Sequence, residues 1–331
     1  MMLDVKRWFP FSFLGHPVST HPRAMIEPYA EQRKAGAVIL GLASDLSLSD
    51  YDIYSGAKEG PDVIRQMLAR TPYSGALPIY DAGVIEAQSY FGVKEDEFDT
   101  MRAAQYAKLC AMLKLGHLPV MLGGGHEVAI ASYQALSDTV NQAGNDSSGE
   151  ESQILPFVEG NRIGIINIDA NFQLRRSLAV KAGSAFHSVA AFCHTNNRTF
   201  RYLGLGMCDH INSQATMAYA SELGAQWLLD SEMKMKNRKR IQAVVAKYLE
   251  QVDHVHLSVD LSVFSSAIAG GVSLSRVFGV NLAVVEMVIS QAMASNKVRI
   301  VDIAGLNPEY DYQNQTARLA VSLLHHVLKY R

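Results

Sequence analysis

Cysteine, long apolar stretches and concentrated charge are all scarce in this chain. The three cysteines, Cys110, Cys193 and Cys208, are too few and too scattered for a disulfide framework. A reduced, cytoplasmic setting is the simplest expectation. No uncharged apolar run reaches the length of a membrane span. Asp4, Lys6, Arg7 and Pro10 interrupt the apolar residues of Met1 to Leu14, so that segment lacks a signal-peptide core. The formal net charge is -2, with no large basic block. That argues against a nucleic-acid partner and against an anionic membrane surface. Gly123, Gly124 and Gly125 are not followed by the lysine and hydroxyl pair of a phosphate-binding loop.

What the chain does have is apolar material in a regular order. Its 331 residues are 48% hydrophobic, enough for a sizeable core. Short apolar runs predict strands at Ala37–Leu42, Leu118–Leu122, Ile163–Ile168, Tyr202–Gly206, Gln226–Leu229, His254–Val259 and Val298–Ile303. Helical patterns lie between them: Pro61–Leu68, Thr100–Leu115, Glu127–Leu136, Lys234–Val252, Leu282–Ser295 and Thr316–Tyr330. Such alternation implies a parallel sheet covered by helices on both faces. Gln142–Gln153 reads as a polar surface loop rather than a linker. With no repeat and no break in composition, one domain over residues 1–331 is expected.

In open parallel sheets, functional groups collect where strands end. His126, Asp169 and Asp260 all stand at such ends. One imidazole and two carboxylates suit a single divalent ion such as Mn2+ or Fe2+. Plainer roles compete with this one. His126 can be a buried histidine bonded at a turn, and the two aspartates can be caps that accept backbone N–H groups. Cys208, Asp209 and His210 read as a loop rather than a metal cluster. The basic residues from Lys234 to Arg240 read as a solvated helix face. The C-terminal helix, with His325 and His326, is expected to pack on the sheet or on a neighbouring subunit.

Several motifs together resemble the ureohydrolase superfamily of arginase, agmatinase and, nearest, formimidoylglutamase. Gly56-Ala57, Gly60-Pro61 and Ile64-Arg65 resemble its GA..GP..IR segment. Leu122–Leu136 (LGGGHEVAIASYQAL) resembles its first metal motif, and Ile168–Arg175 (IDANFQLR) resembles IDAHFDLR. Gly183–Ser188 stands where the formimidoylglutamase branch has SGTPFRQ. Asp260–Ser273 (DLSVFSSAIAGGVS) resembles DLDVLPAAVAPGVS. Leu306-Asn307-Pro308, Asp311 and Thr316-Ala317-Arg318 resemble the family's closing segment. The resemblance spans roughly Val38 to Leu328.

It implies a three-layer α/β/α sandwich around a mainly parallel, eight-stranded sheet. It also implies two Mn2+ ions that activate a hydroxide for attack on a guanidino or formimino carbon. Of the six ligand positions, His126, Asp169 and Asp260 match. Asn171 stands for a histidine, and Gln173 and Ser262 stand for aspartates. Gly305 replaces a glutamate, while Tyr54 and His187 replace arginines of the substrate pocket. Four carboxylates would balance two divalent ions, and two balance only one. The expectation is therefore no resident cofactor, or one weakly bound Mn2+ or similar ion at His126, Asp169 and Asp260, with Gln173 as a weak donor. The implied protein is a formimidoylglutamase-like pseudoenzyme that binds a small amino-acid-like or amidine ligand. The alternative is a one-metal hydrolase of a linear amidine or related C–N bond. The family also implies a homo-oligomer, or a mixed assembly with an active homologue.

Overall fold

The computed structural model describes residues 26–46, 56–73, 75–87, 94–143 and 161–330. Tyr54, the segment Met1–Leu14 and most of the loop Gln142–Gln153 lie outside those residues.

Nine strands form one sheet. They are β1 (Ile26–Pro28), β2 (Ala37–Leu42), β3 (Ile79–Ile85), β4 (Leu118–Gly123), β5 (Ile163–Ile168), β6 (Tyr202–Met207), β7 (Gln226–Leu229), β8 (His254–Asp260) and β9 (Val298–Ala304). Their order is β1-β3-β2-β4-β9-β8-β5-β6-β7, and every neighbouring pair is parallel. Strands β2, β4, β5, β6, β8 and β9 are buried along their whole length. Burial on both faces explains why most of them read as continuous apolar runs rather than alternating ones.

The resemblance implied eight strands. The difference lies at one edge, where the three-residue β1 pairs with β3. Neither of these strands is evident in the sequence. Asp81 and Gly83 break the apolar pattern of β3, and β1 is too short to carry one.

Eight helices complete the layers: α1 (Gly60–Arg70), α2 (Lys94–Lys114), α3 (Val128–Ala143), α4 (Ala185–Thr195), α5 (Gln214–Glu222), α6 (Arg238–Glu250), α7 (Leu282–Ala294) and α8 (Gln315–Lys329). Helices α1, α6, α7 and α8 supply one apolar cluster, and α2, α3, α4 and α5 supply the other. The sheet lies between them, giving the three-layer α/β/α sandwich. Helix α8 shows why it docks. Leu319, Ala320, Leu323, Leu324, Val327 and Leu328 recur at three- and four-residue spacing and are all buried. Truncating one of these leucines to alanine removes about 2–5 kcal/mol. The single charged helix expected over Lys234–Val252 is instead a 3-10 turn at Met235–Asn237 followed by α6. Among the described residues no helix is long and apolar enough to cross a membrane.

The order of the central strands positions the site. Strands β4, β9, β8 and β5 are adjacent. Their carboxyl ends therefore deliver His126, Gly305, Asp260 and Asp169 side by side, although these residues are far apart in sequence.

Candidate metal centre and ligand cavity

The turn after β4 is tight because it must pass the end of β2. A Cβ on Gly124 would lie 2.1 Å from the Ser44 carbonyl oxygen. Gly125 N–H donates to that same carbonyl at 2.9 Å. This turn sends the His126 ring inward over the ends of β5 and β8.

His126 Nδ1 lies 2.9 Å from Asp260 Oδ2 and 3.3 Å from Asp169 Oδ2. Its other nitrogen, Nε2, is 2.9 Å from Ser258 Oγ. All three charged residues are buried. The aspartates also cap. Asp260 Oδ1 accepts Ser262 N–H at 2.8 Å, and Asp169 Oδ1 accepts Asn171 N–H at 3.0 Å. The capping role and the cluster role are thus both real, one for each carboxylate oxygen.

The neutral replacements turn toward this cluster. Gln173 Nε2 donates to Asp169 Oδ2 at 2.9 Å, the same oxygen that faces His126. Ser262 Oγ lies 3.4 Å from Asp169 Oδ1. Asn171 Oδ1 is engaged by Gln173 N–H at 2.7 Å. A backbone φ of 56° at Gln173 brings this turn round.

Burial alone would lower the His126 pKa. The hydrogen bond to Asp260 and the charges of Asp169 and Asp260 outweigh it and raise the value to about 9. Asp169 is pushed up to about 6 by burial and by repulsion from Asp260, against the pull of His126 and its hydrogen bonds. Burial would raise Asp260 too, but its hydrogen bond to His126, the His126 charge and its bonds from Ser262 hold it below the usual carboxylate range. Near neutral pH the cluster is therefore an imidazolium between carboxylates.

A second tier sits deeper on the same strands. Ser258 lies opposite Asp302 in the β8–β9 register, with Oγ 3.5 Å from Asp302 Oδ2. His256 Nε2 also bonds Asp302 Oδ2, and Ser132 Oγ donates to Asp302 Oδ1 at 2.7 Å. Sequence reading missed these residues, yet a signal was present. In β8 (HVHLSVD) the polar residues 254, 256, 258 and 260 alternate with apolar ones inside a fully buried strand.

A cavity of about 650 Å³ opens over the cluster. Its floor includes His126, Asn171, Gln173, Asp260, Ser262 and Gly305. Arg175 and Arg276 line its walls. Arg276 is braced by the backbone oxygens of Ser262 and Val263, at 3.1–3.2 Å from its Nη2, and its Nη1 lies 3.4 Å from Asp230 Oδ2, which balances its charge. Gly305 has φ 95°, and a Cβ there would lie 2.7 Å from Asp260 Oδ1. His187 does not line the cavity. Its Nδ1 lies 3.1 Å from Tyr219 Oη, its ring packs edge-on against Tyr219, and its N–H donates to the Gln173 carbonyl. His210 Nε2 lies 3.5 Å from Asp209 Oδ1 at the surface while Cys208 is buried, and among the described residues these three form no metal-ligand group.

Among the described residues, His126, Asp169 and Asp260 are the one group whose ligand atoms fit a metal ion, all within 4.8 Å of one another. This donor set fits one divalent ion. Around it Asn171, Gln173 and Ser262 add amide and hydroxyl groups rather than further carboxylates or imidazoles.

Comparisons with known proteins agree with this architecture. The Arginase family pattern matches residues 35–329. A formimidoylglutamase of Aromatoleum aromaticum is 35% identical over 92% of this chain and 87% of its own. One of Rhodococcus opacus is 32% identical over 92% of this chain and 89% of its own. Among solved structures, formimidoylglutamase from Bacillus subtilis superposes with a TM-score of 0.77 at 18% identity, covering 98% of this chain and 96% of that one. Trypanosoma cruzi formiminoglutamase with Mn2+ superposes with a TM-score of 0.74 at 20% identity, over 94% of this chain and 98% of that one.

Proposed function

The chain belongs to the arginase family, and from that premise we propose that it is a ureohydrolase homologue whose site binds a small ligand in place of dimanganese hydrolysis. The observation that carries this reading is Gln173. Its amide donates a hydrogen bond to Asp169 Oδ2, where an aspartate would have offered a further ligand oxygen. His126 Nδ1 faces the carboxylates of Asp169 and Asp260, whose charges favour its protonated form. Protein donors thus balance the carboxylates that metal ions would otherwise balance.

The cavity keeps the character of a binding site. Asp260 presents a buried carboxylate at the floor, and two guanidinium groups stand at the wall. An amino-acid-like or amidine ligand fits this polarity, its nitrogen head toward Asp260 and its carboxylate toward Arg175. The test is turnover by the purified chain with added Mn2+ on formiminoglutamate, arginine and agmatine. No hydrolysis above background is expected. Enzyme-like rates on any of the three overturn the reading.

One observation favours a second reading, a one-metal hydrolase of a linear amidine. Ser258 holds His126 Nε2, which leaves Nδ1 aimed at both carboxylates as a ligand histidine requires. His126, Asp169 and Asp260 would hold the ion, which when bound supplies Lewis-acid polarisation. This reading requires one ion per chain and loss of activity in Asp260→Ala.

A further inference from the structure

The exposed apolar side chains are unevenly placed. Nine large ones are exposed among the described residues. Leu178, Ile211, Leu274, Val277 and Phe278 stand on the loops that leave β5, β6 and β8, and Tyr310 and Tyr312 on the loop that leaves β9. Seven of the nine therefore stand on loops that leave the carboxyl edge of the sheet. Ile211 and Leu274 line the cavity itself. Val277 and Phe278 follow Leu274 on the same loop and are 77% and 81% exposed. Single apolar residues at a surface are ordinary, but Ile211 and Leu274 give the rim of this cavity an apolar face that a bound group can cover.

The rim and the floor belong to one cavity. Loop 271–280 contributes Arg276 to the wall and Leu274 to the rim. At about 650 Å³ the cavity falls in the range of about 300–1,000 Å³ that encloses drug-sized ligands. We infer that it takes an amphiphilic small molecule with a cationic nitrogen head at Asp260, an acidic group at Arg175, and an aliphatic or aryl tail across Ile211 and Leu274. The inference rests on the ligand-binding reading above and adds the tail. The charged floor and walls specify the head, while the rim supplies apolar area that a short polar ligand would leave uncovered. Each methylene of the tail that is buried against the rim tightens binding by up to roughly fourfold.

Arginine and its Nα-acetyl, Nα-hexanoyl and Nα-decanoyl derivatives carry this combination of groups in graded form. Titration calorimetry of the full chain with the series is expected to show affinity rising with chain length, by on the order of 30-fold or more from acetyl to decanoyl. The double variant Ile211→Ser with Leu274→Ser, at two exposed positions, should lose about tenfold for the decanoyl compound and little for the acetyl one. If the short compounds bind and chain length has no effect, the inference fails and the binding reading stands. If no member of the series binds, both fail. If chain length has no effect and the double variant instead abolishes self-association in sedimentation, the rim is a contact between copies, and the inference is overturned.

Discussion

Two histidine–aspartate pairs lie one above the other on β8 and its neighbours, and they behave differently. The upper pair, His126 with Asp260, sits at the strand ends and lines the cavity. The lower pair, His256 with Asp302, is fully buried, and neither residue lines the cavity. Ser258 touches both. The same two residue types therefore serve two purposes, according to whether solvent and ligand reach them. The lower pair can only hold the sheet together and orient what lies above it. The upper pair keeps an oxygen, a charge and an opening.

Mutation should separate the tiers most sharply in stability. Asp302→Ala leaves His256 buried without its partner, while Ser132 keeps the Val128 carbonyl, and should cost about 3–5 kcal/mol in urea unfolding. Asp260→Ala, where cavity water can replace the lost partner, should cost about 1–2 kcal/mol. Equal costs would dissolve the distinction.

The upper tier should also set the pH dependence. The folded value for His126 is about 9, against an ordinary 6.5. Its contribution is complete below pH 6.5 and is lost as pH rises through about 9, a change of about 3 kcal/mol. Asp169, raised to about 6, acts in the same direction at lower pH, since ionising it between about pH 4 and 6 costs more when folded. Asp260, held low, contributes fully above the ordinary carboxylate value and does not alter the slope between pH 6.5 and 9. Urea unfolding at pH 6.5 and pH 9 with a chelator present should show the fall, and His126→Gln should flatten it.

Restoring the family's ligands probes the upper tier alone. Asn171→His, Gln173→Asp and Ser262→Asp together should raise Mn2+ occupancy toward two ions per chain by elemental analysis. Adding Gly305→Glu should not help. Its backbone φ of 95° and the 2.7 Å approach to Asp260 leave no place for a side chain, and the strain should cost about 1–3 kcal/mol. The smallest effect is expected at His187→Arg. His187 faces Tyr219 rather than the cavity, so stability should change by no more than about 0.5–1 kcal/mol and ligand affinity should not change in calorimetry.

Much of the fold was readable because buried parallel strands are apolar throughout, and seven of them stood out as runs. Strands β1 and β3 did not, one for its length and the other for Asp81 and Gly83. Helices α4 and α5 were also missed. α5 has only Ala220 fully buried, and α4 follows directly on a motif that drew attention to its residue types instead of its period. At the site, His126, Asp169 and Asp260 were legible from their places at strand ends, and the structure brings all three together. The hydrogen-bond direction at Gln173 was not legible, because it depends on a left-handed backbone turn at that residue. Nor was Arg276, whose place in the wall depends on the path of loop 271–280. His256 and Ser258 could have been found from the alternation in β8, a pattern that a wholly buried strand has no other reason to carry, and Asp302 from its place as the lone carboxylate in β9.

The central claim is that amide and hydroxyl side chains have replaced half of a dimetal ligand set. It is tested most directly by Mn2+ content per chain after dialysis from excess metal. The account predicts no more than one ion per chain, held if at all by His126, Asp169 and Asp260. Two ions per chain would contradict it.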